Sequence, residues 1–190
     1  MGSRVVVAMG LFYMKTICIG LVIAWAGLVA GRGADAVVSP EQRLTELGLA
    51  LKTPPAAVAN YIPAVRTGNL VYLSGQIPRG ADGKVIAGKV GREVSTEEAA
   101  LAARACGLQL LAALKAEIGS LGKVKRIVRV GGFVNCVPEF TEQPKAINGC
   151  SDLLVAIFGD KGRHARAAVG VAALPAGAAV EVDMIVEVAD

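Results

Sequence analysis

Residues 164–188 read HARAAVGVAALPAGAAVEVDMIVEV. Two apolar, β-branched runs flank the turn-forming Leu174-Pro175-Ala176-Gly177, which predicts strands over about His164–Val171 and Ala179–Val188. The second run alternates. Val180, Val182, Met184, Val186 and Val188 fall on one side, and Glu181, Asp183, Ile185 and Glu187 on the other. In the first run Val169 and Val171 share a side with Ala165 and Ala167, whereas Arg166 goes with Ala168 and Gly170. If the valine-rich sides of both strands meet the core, Arg166 and Glu181 emerge together on the opposite side. Their neighbours there are small, which leaves room for a ligand or a second subunit. The same pattern also suits a solvated ion pair, which contributes little to stability.

The preceding residues supply the rest of the domain. A helix is expected from Gln143 to Phe158, with Pro144 in its first turn and Ile147, Leu154 and Ile157 on its apolar side. Val124–Val134 reads as a strand. Ser95 and Glu98 form a capping box ahead of EEAALAARACGLQLLAALKAEIG (97–119), where Leu101, Leu108, Leu111 and Ile118 make a helical stripe and Gly119 a stop. Ala64–Arg66 and Asn69–Ser74 flank Thr67-Gly68 as a hairpin, and Ala81–Lys84 is a turn ahead of Val85–Val90. Ser39-Pro40-Glu41-Gln42 caps a short helix carrying Leu44 and Leu47, and Pro54-Pro55 follows as a linker. Strands, helix, strand, helix and two strands predict an α+β domain with two long helices on one face of a mixed sheet.

Composition narrows the function classes. The chain has 190 residues, 54% hydrophobic but only 4% aromatic, with a formal net charge of +4. This is enough for one core and too apolar for a disordered chain. Residues 14–36, MKTICIGLVIAWAGLVAGRGADA, have the order of a secretory signal: Lys15, an apolar run Ile17–Ala30, and Ala34-Asp35-Ala36 as a small-x-small cleavage site. The expected organisation is a signal over 1–36, a helix and linker over 37–59, and a domain over 60–190. The chain is therefore expected to be exported, periplasmic or secreted. Val5–Met14 is also apolar, so an uncleaved membrane anchor is the alternative.

Residues 1–36 hold three basic residues and one acidic one, leaving 17 against 15 in the remainder. That balance and the few aromatics argue against nucleic acid as a partner. Lys123, Lys125, Arg126 and Arg129 form a basic cluster that alternation divides between strand faces, which reads as solvated charge. Three cysteines follow residue 36, with no CxxC pair and with His164 as the single histidine. No disulfide framework or zinc ligand set is indicated, and no nucleotide fingerprint is present.

NYIPAVRTGNLVYLSGQIP (60–78) and the 164–188 stretch together resemble the Rid/YjgF family of reactive intermediate deaminases, also known as endoribonuclease L-PSP. The spacing from Arg166 through Leu174-Pro175 to Glu181 carries most of the likeness. The resemblance implies a chorismate-mutase-like α+β fold and a homotrimer with clefts between subunits. It implies no metal and no cofactor. The implied chemistry is hydrolysis of enamines and imines such as 2-aminoacrylate to keto acids and ammonia. On this resemblance Arg166 grips the substrate carboxylate, a task suited to a planar, permanently charged guanidinium. Glu181 positions or deprotonates water, Ser74 offers a hydroxyl beside Gly75, Tyr61 closes the cleft from an adjacent subunit, and Ala168 adds a backbone amide.

Several residues depart from the family's pattern. Ala168 stands where the family often has cysteine, and His164 where it often has proline. His164 has the strand parity of Arg166 and is read as an exposed strand-end residue. The alternatives to deaminase activity are a trimeric module that captures small carboxylates without turnover, and an endoribonuclease.

Overall fold

The computed structural model describes residues 38–53 and 60–190. The signal-like segment and the Pro54-Pro55 linker lie outside the described residues. Eight main elements follow in chain order: α1 (Pro40–Glu46), β1 (Ala64–Thr67), β2 (Leu70–Gln76), α2 (Thr96–Ile118), β3 (Val124–Asn135), α3 (Gln143–Phe158), β4 (Ala165–Val171) and β5 (Val180–Val188). The strands form one sheet in the order β1-β2-β5-β3-β4, antiparallel except for the parallel pair β3–β4. The expected α+β architecture is present, with α2 and α3 on one face.

Local sequence signals account for the helix ends. At α1, Gln42 N donates to Ser39 Oγ (3.2 Å) and Ser39 N to Gln42 Oε1 (2.8 Å). At α2, Glu98 N donates to Ser95 Oγ (3.1 Å) and Ser95 N to Glu98 Oε2 (2.8 Å). Each box satisfies two otherwise orphaned amides. Glu41 also ties α1 to the turn before β3, its Oε1 accepting from Leu121 N at 2.7 Å and Ser120 Oγ at 3.0 Å. Leu44 is buried in the common core, so α1 packs as part of the same layer.

The β5 alternation holds along its length. Val180, Val182, Met184, Val186 and Val188 are buried beneath the helices, beside Val71, Leu73, Ile127, Val130 and Val134 of the neighbouring strands. The α3 stripe is also as expected, with Ile147, Leu154 and Ile157 buried. On α2 the expected stripe holds except at its start: Leu111 and Ile118 are buried and Leu108 packs against the core, but Leu101 is 67% exposed. That helix is apolar on nearly every side, and its first turns are buried through the small residues Ala99, Ala102, Ala103 and Cys106 rather than through Leu101. By length and composition α2 passes for a membrane span, yet it is a core helix of this domain. Val85–Val90 makes isolated bridges, including Ala87↔Ala178 and Val90↔Cys136, and forms no strand.

Close approach of α2 and α3 depends on glycine. A Cβ on Gly149 would overlap the Ala100 carbonyl oxygen of α2, and one on Gly107 would meet Leu153 Cδ2 at 3.0 Å and Cys150 Sγ at 3.1 Å. Gly149→Ala is expected to destabilise the protein by roughly 3 kcal/mol, because the blocked atoms are backbone and cannot step aside. A thermal melt should show the midpoint falling by about 10 °C. In the β4–β5 turn Ala176 has φ 53° and ψ 22°, a left-handed conformation that costs a non-glycine residue energy. Ala176→Gly should raise stability by about 1 kcal/mol, read from the shift of the urea midpoint.

Candidate functional site

The six residues singled out from the sequence fall into two groups. The first lies at the end of β2 and the start of β5. Ser74 Oγ donates to the Ile62 carbonyl at 2.7 Å, and Ser74 N donates to Pro63 O at 2.9 Å, which fastens the Tyr61–Pro63 segment beside β2. The Ser74 hydroxyl proton is therefore engaged, and its free lone pairs can only accept. Tyr61 is 49% exposed and free to meet a ligand or another chain. A Cβ on Gly75 would overlap Glu181 Oε1, so the glycine provides the space that the carboxylate occupies. Partial burial, reinforced by Asp183 two residues along the strand, holds the Glu181 carboxyl above the usual glutamate range. Asp183 itself pairs with Arg129 at 3.0 Å across the same open face.

The second group is Arg166 and Ala168 on β4, and here the expected shared face is overturned. Val130 of β3 pairs with both Arg166 and Met184, whereas Phe133 pairs with both Val169 and Glu181. Arg166 thus lies on the helix side of the sheet and Glu181 on the open side. The contacts agree: Arg166 Nη1 donates to Asn148 Oδ1 (2.8 Å) and Ser151 Oγ (3.0 Å), both on α3. The reason is crowding. A Cβ on Gly170 would sit 2.8 Å from Cys136 Sγ and 3.0 Å from Gln143 Nε2, and Ala168 packs against the core. At the inward positions 168 and 170 the strand admits only small residues, so the valines face outward and Val169 is exposed, while Arg166 at the start of the strand is itself exposed. β4 and β5 flank β3, which separates the two groups by roughly 10 Å of sheet as well as by face.

Three polar residues beside Arg166 complete this second group. His164 is half-buried and joined to Ser151, with Nε2 3.1 Å from Ser151 Oγ and Nδ1 2.7 Å from the Gly162 carbonyl oxygen. It is not the exposed strand-end residue expected. Burial, with Arg166 acting in the same sense, lowers the His164 pKa below the ordinary histidine value, although the Gly162 bond opposes this. Asn148 and Ser151 were not identified from the sequence. Their i,i+3 spacing within α3, between the apolar positions Ile147 and Leu154, is the signal that points to them.

Below this cluster Cys150 is buried and its thiol pushed up to about 12 by burial, the Arg166 charge opposing. It is not a nucleophile at neutral pH. Arg166 is exposed, and its Nε–H and Nη2–H groups have no partner among the described residues. That edge is a fork able to take a carboxylate by two parallel bonds. No group of three metal-ligating side chains occurs among the described residues.

The comparisons with known proteins agree with this architecture. A family model described as "YjgF/chorismate mutase-like, putative endoribonuclease" matches residues 41–188, a span that takes in α1 from its second residue onward. Protein TCP17 of Trypanosoma cruzi is 46% identical over 145 residues, covering 76% of this chain and 91% of that protein. The crystal structure of Atu1372 from Agrobacterium tumefaciens, a protein of unknown function, is 47% identical with a TM-score of 0.73, covering 79% of this chain and 94% of that one. RidA from an Antarctic Psychrobacter is 28% identical with a TM-score of 0.51, covering 72% and 94%. By sequence and by fold, the chain belongs to the YjgF/chorismate mutase-like family.

Proposed function

We propose that this protein hydrolyses small imines and enamines of 2-keto acids, releasing ammonia, in a site assembled between copies of the chain. The observation that carries the reading is Arg166: an exposed guanidinium, held from one side by α3, with its Nε/Nη2 edge open. An imino acid presents a carboxylate to that fork. Water adds to the imine carbon, and the carbinolamine then collapses to the keto acid and ammonia. Glu181 takes a proton from the attacking water and returns one to the departing nitrogen. A carboxyl with a raised pKa suits that exchange better than an ordinary glutamate. Gly75 lies against Glu181, and Ser74 with the Tyr61–Pro63 segment it fastens supplies further contacts to the ligand, while the Ala168 amide belongs with Arg166.

Arg166 and Glu181 face opposite sides of one sheet, so a pocket using both takes Arg166 from one copy and Glu181 from the next. A closed homotrimer presents three such junctions. We also take residues 14–36 as an export signal. This would put the reaction alongside exported enzymes that generate imines by oxidising amines or amino acids. Sequencing the amino terminus of the secreted protein tests that part; an intact Met1 on membrane-bound protein would favour the anchor. Capture of small carboxylates without turnover is a second reading, favoured by the open Arg166 edge lying on the opposite side of the sheet from Glu181 within one copy. Calorimetric binding of pyruvate by a protein that leaves imine hydrolysis unaccelerated would favour it.

Ammonia release from imino acids freshly generated by an amino-acid oxidase should be accelerated by the wild type. Arg166→Ala and Glu181→Gln should each lose at least about 100-fold in kcat/KM. Co-refolding these two inactive variants in equal amounts should restore about a quarter of wild-type activity, because random mixing leaves that share of two-chain sites intact. No recovery on mixing would mean that the site lies within one chain. The pH dependence has a definite sign. Activity should rise with pH as Glu181 ionises, with a midpoint above the ordinary glutamate value. Glu181→Gln should also remove a destabilising charge. Its thermal midpoint relative to wild type should be unchanged below the ordinary glutamate pKa and should rise as pH passes through the raised one.

A further inference from the structure

The hydrogen bonds around Arg166 have one self-consistent direction. The Gly162 carbonyl can only accept, so His164 Nδ1 carries the proton in that 2.7 Å bond. In the neutral ring Nε2 is then an acceptor, and it takes the Ser151 hydroxyl proton at 3.1 Å. That turns the Ser151 lone pairs toward Arg166, whose Nη1 donates to them at 3.0 Å. The second Nη1 hydrogen goes to Asn148 Oδ1 at 2.8 Å. Both hydrogens of Nη1 are consumed, and the guanidinium plane is fixed by two bonds from one helix. An end-on carboxylate would have to displace one of them. The side-on fork, Nε–H with Nη2–H, is left open.

We propose that Ser151 and Asn148 are positioning residues for Arg166, with His164 setting the direction of the Ser151 hydroxyl, so that the arginine presents its Nε/Nη2 edge to a monocarboxylate. The part concerning the ligand rests on the imine-hydrolase reading; the part concerning the guanidinium stands without it. A long side chain at an edge strand loses much rotational freedom when it binds an anion. Orientation in advance lowers that cost, and the effect belongs in binding more than in the chemical step. The sequence serves this end in two places. α3 carries polar residues at 148 and 151 beside its apolar stripe, and the residue just before β4 is a histidine whose ring meets α3.

NMR with arginine side-chain nitrogen-15 labelling tests the positioning directly. In the wild type the Arg166 Nη1 and Nη2 protons should give separate signals, because rotation about the Cζ–Nη bonds is hindered by the bonds to α3. In Ser151→Ala and Asn148→Ala they should merge, and Ser151→Thr, which keeps the hydroxyl, should retain the separation. Merged signals already in the wild type, or separate signals in both alanine variants, would overturn the proposal. The same variants, checked by thermal melting for intact folding, should raise KM for imino acids about tenfold while kcat changes less than twofold. If the wild type shows neither imine hydrolysis nor pyruvate binding, the functional reading fails. The guanidinium signals still decide whether the α3 residues hold Arg166.

Discussion

Register across β3 governs this molecule. Arg129–Val134 of that strand pair with β4 on one side and β5 on the other, and a pleated ladder gives directly paired residues a common face. Val130 therefore commits Arg166 and Met184 to the helix layer, while Phe133 commits Val169 and Glu181 to the open side. A slip of one residue would exchange every pair and bring Val169 under α3, where Gly170 and Ala168 mark the limit of available space. The parallel crossover through α3 locks the arrangement, since β4 can reach the sheet edge only after the helix has covered the face that Arg166 uses.

Much of this was legible in the chain itself, and the reasons differ by element. The two capping boxes, the bounds of α3 and the alternation of β5 are local signals that the surroundings reinforce. β4 is another matter. ARAAVGV has no strong polar alternation, so the preference of valine for the interior was a reasonable guide and the wrong one. A helix lying close above the strand reserved the inner positions 168 and 170 for alanine and glycine, a tertiary effect invisible to periodicity. The leucine stripe on α2 missed only at Leu101, for a related reason: in the first turns of that helix small residues mark the tightest packing. The partners of Arg166 were hidden because a serine and an asparagine within a helix are ordinary until the neighbouring strand is known to point at them.

The motif joining Arg166 and Glu181 gains a geometric meaning from this arrangement. Their spacing spans two strands separated by a turn, and the turn exchanges faces between them. Two residues that look adjacent in the sequence signature are, within a single copy, directed to opposite sides of a sheet. The open face also carries Tyr72, Ile185 and the ion pairs Arg129–Asp183 and Arg126–Glu187, so it combines apolar patches with fixed charges.

The cysteines lead to a separate consequence. Cys106 and Cys150 lie in the seam between α2 and α3, buried and unpaired, and burial holds both thiols protonated far above neutral pH. Cys136, also free, is buried at the end of β3. Oxidants and disulfide-exchange enzymes act on accessible thiolates, and this helix layer offers them none from Cys106 or Cys150. The fold can accordingly pass between reducing and oxidising surroundings without covalent rearrangement at that seam, its sulfur serving only to fill space.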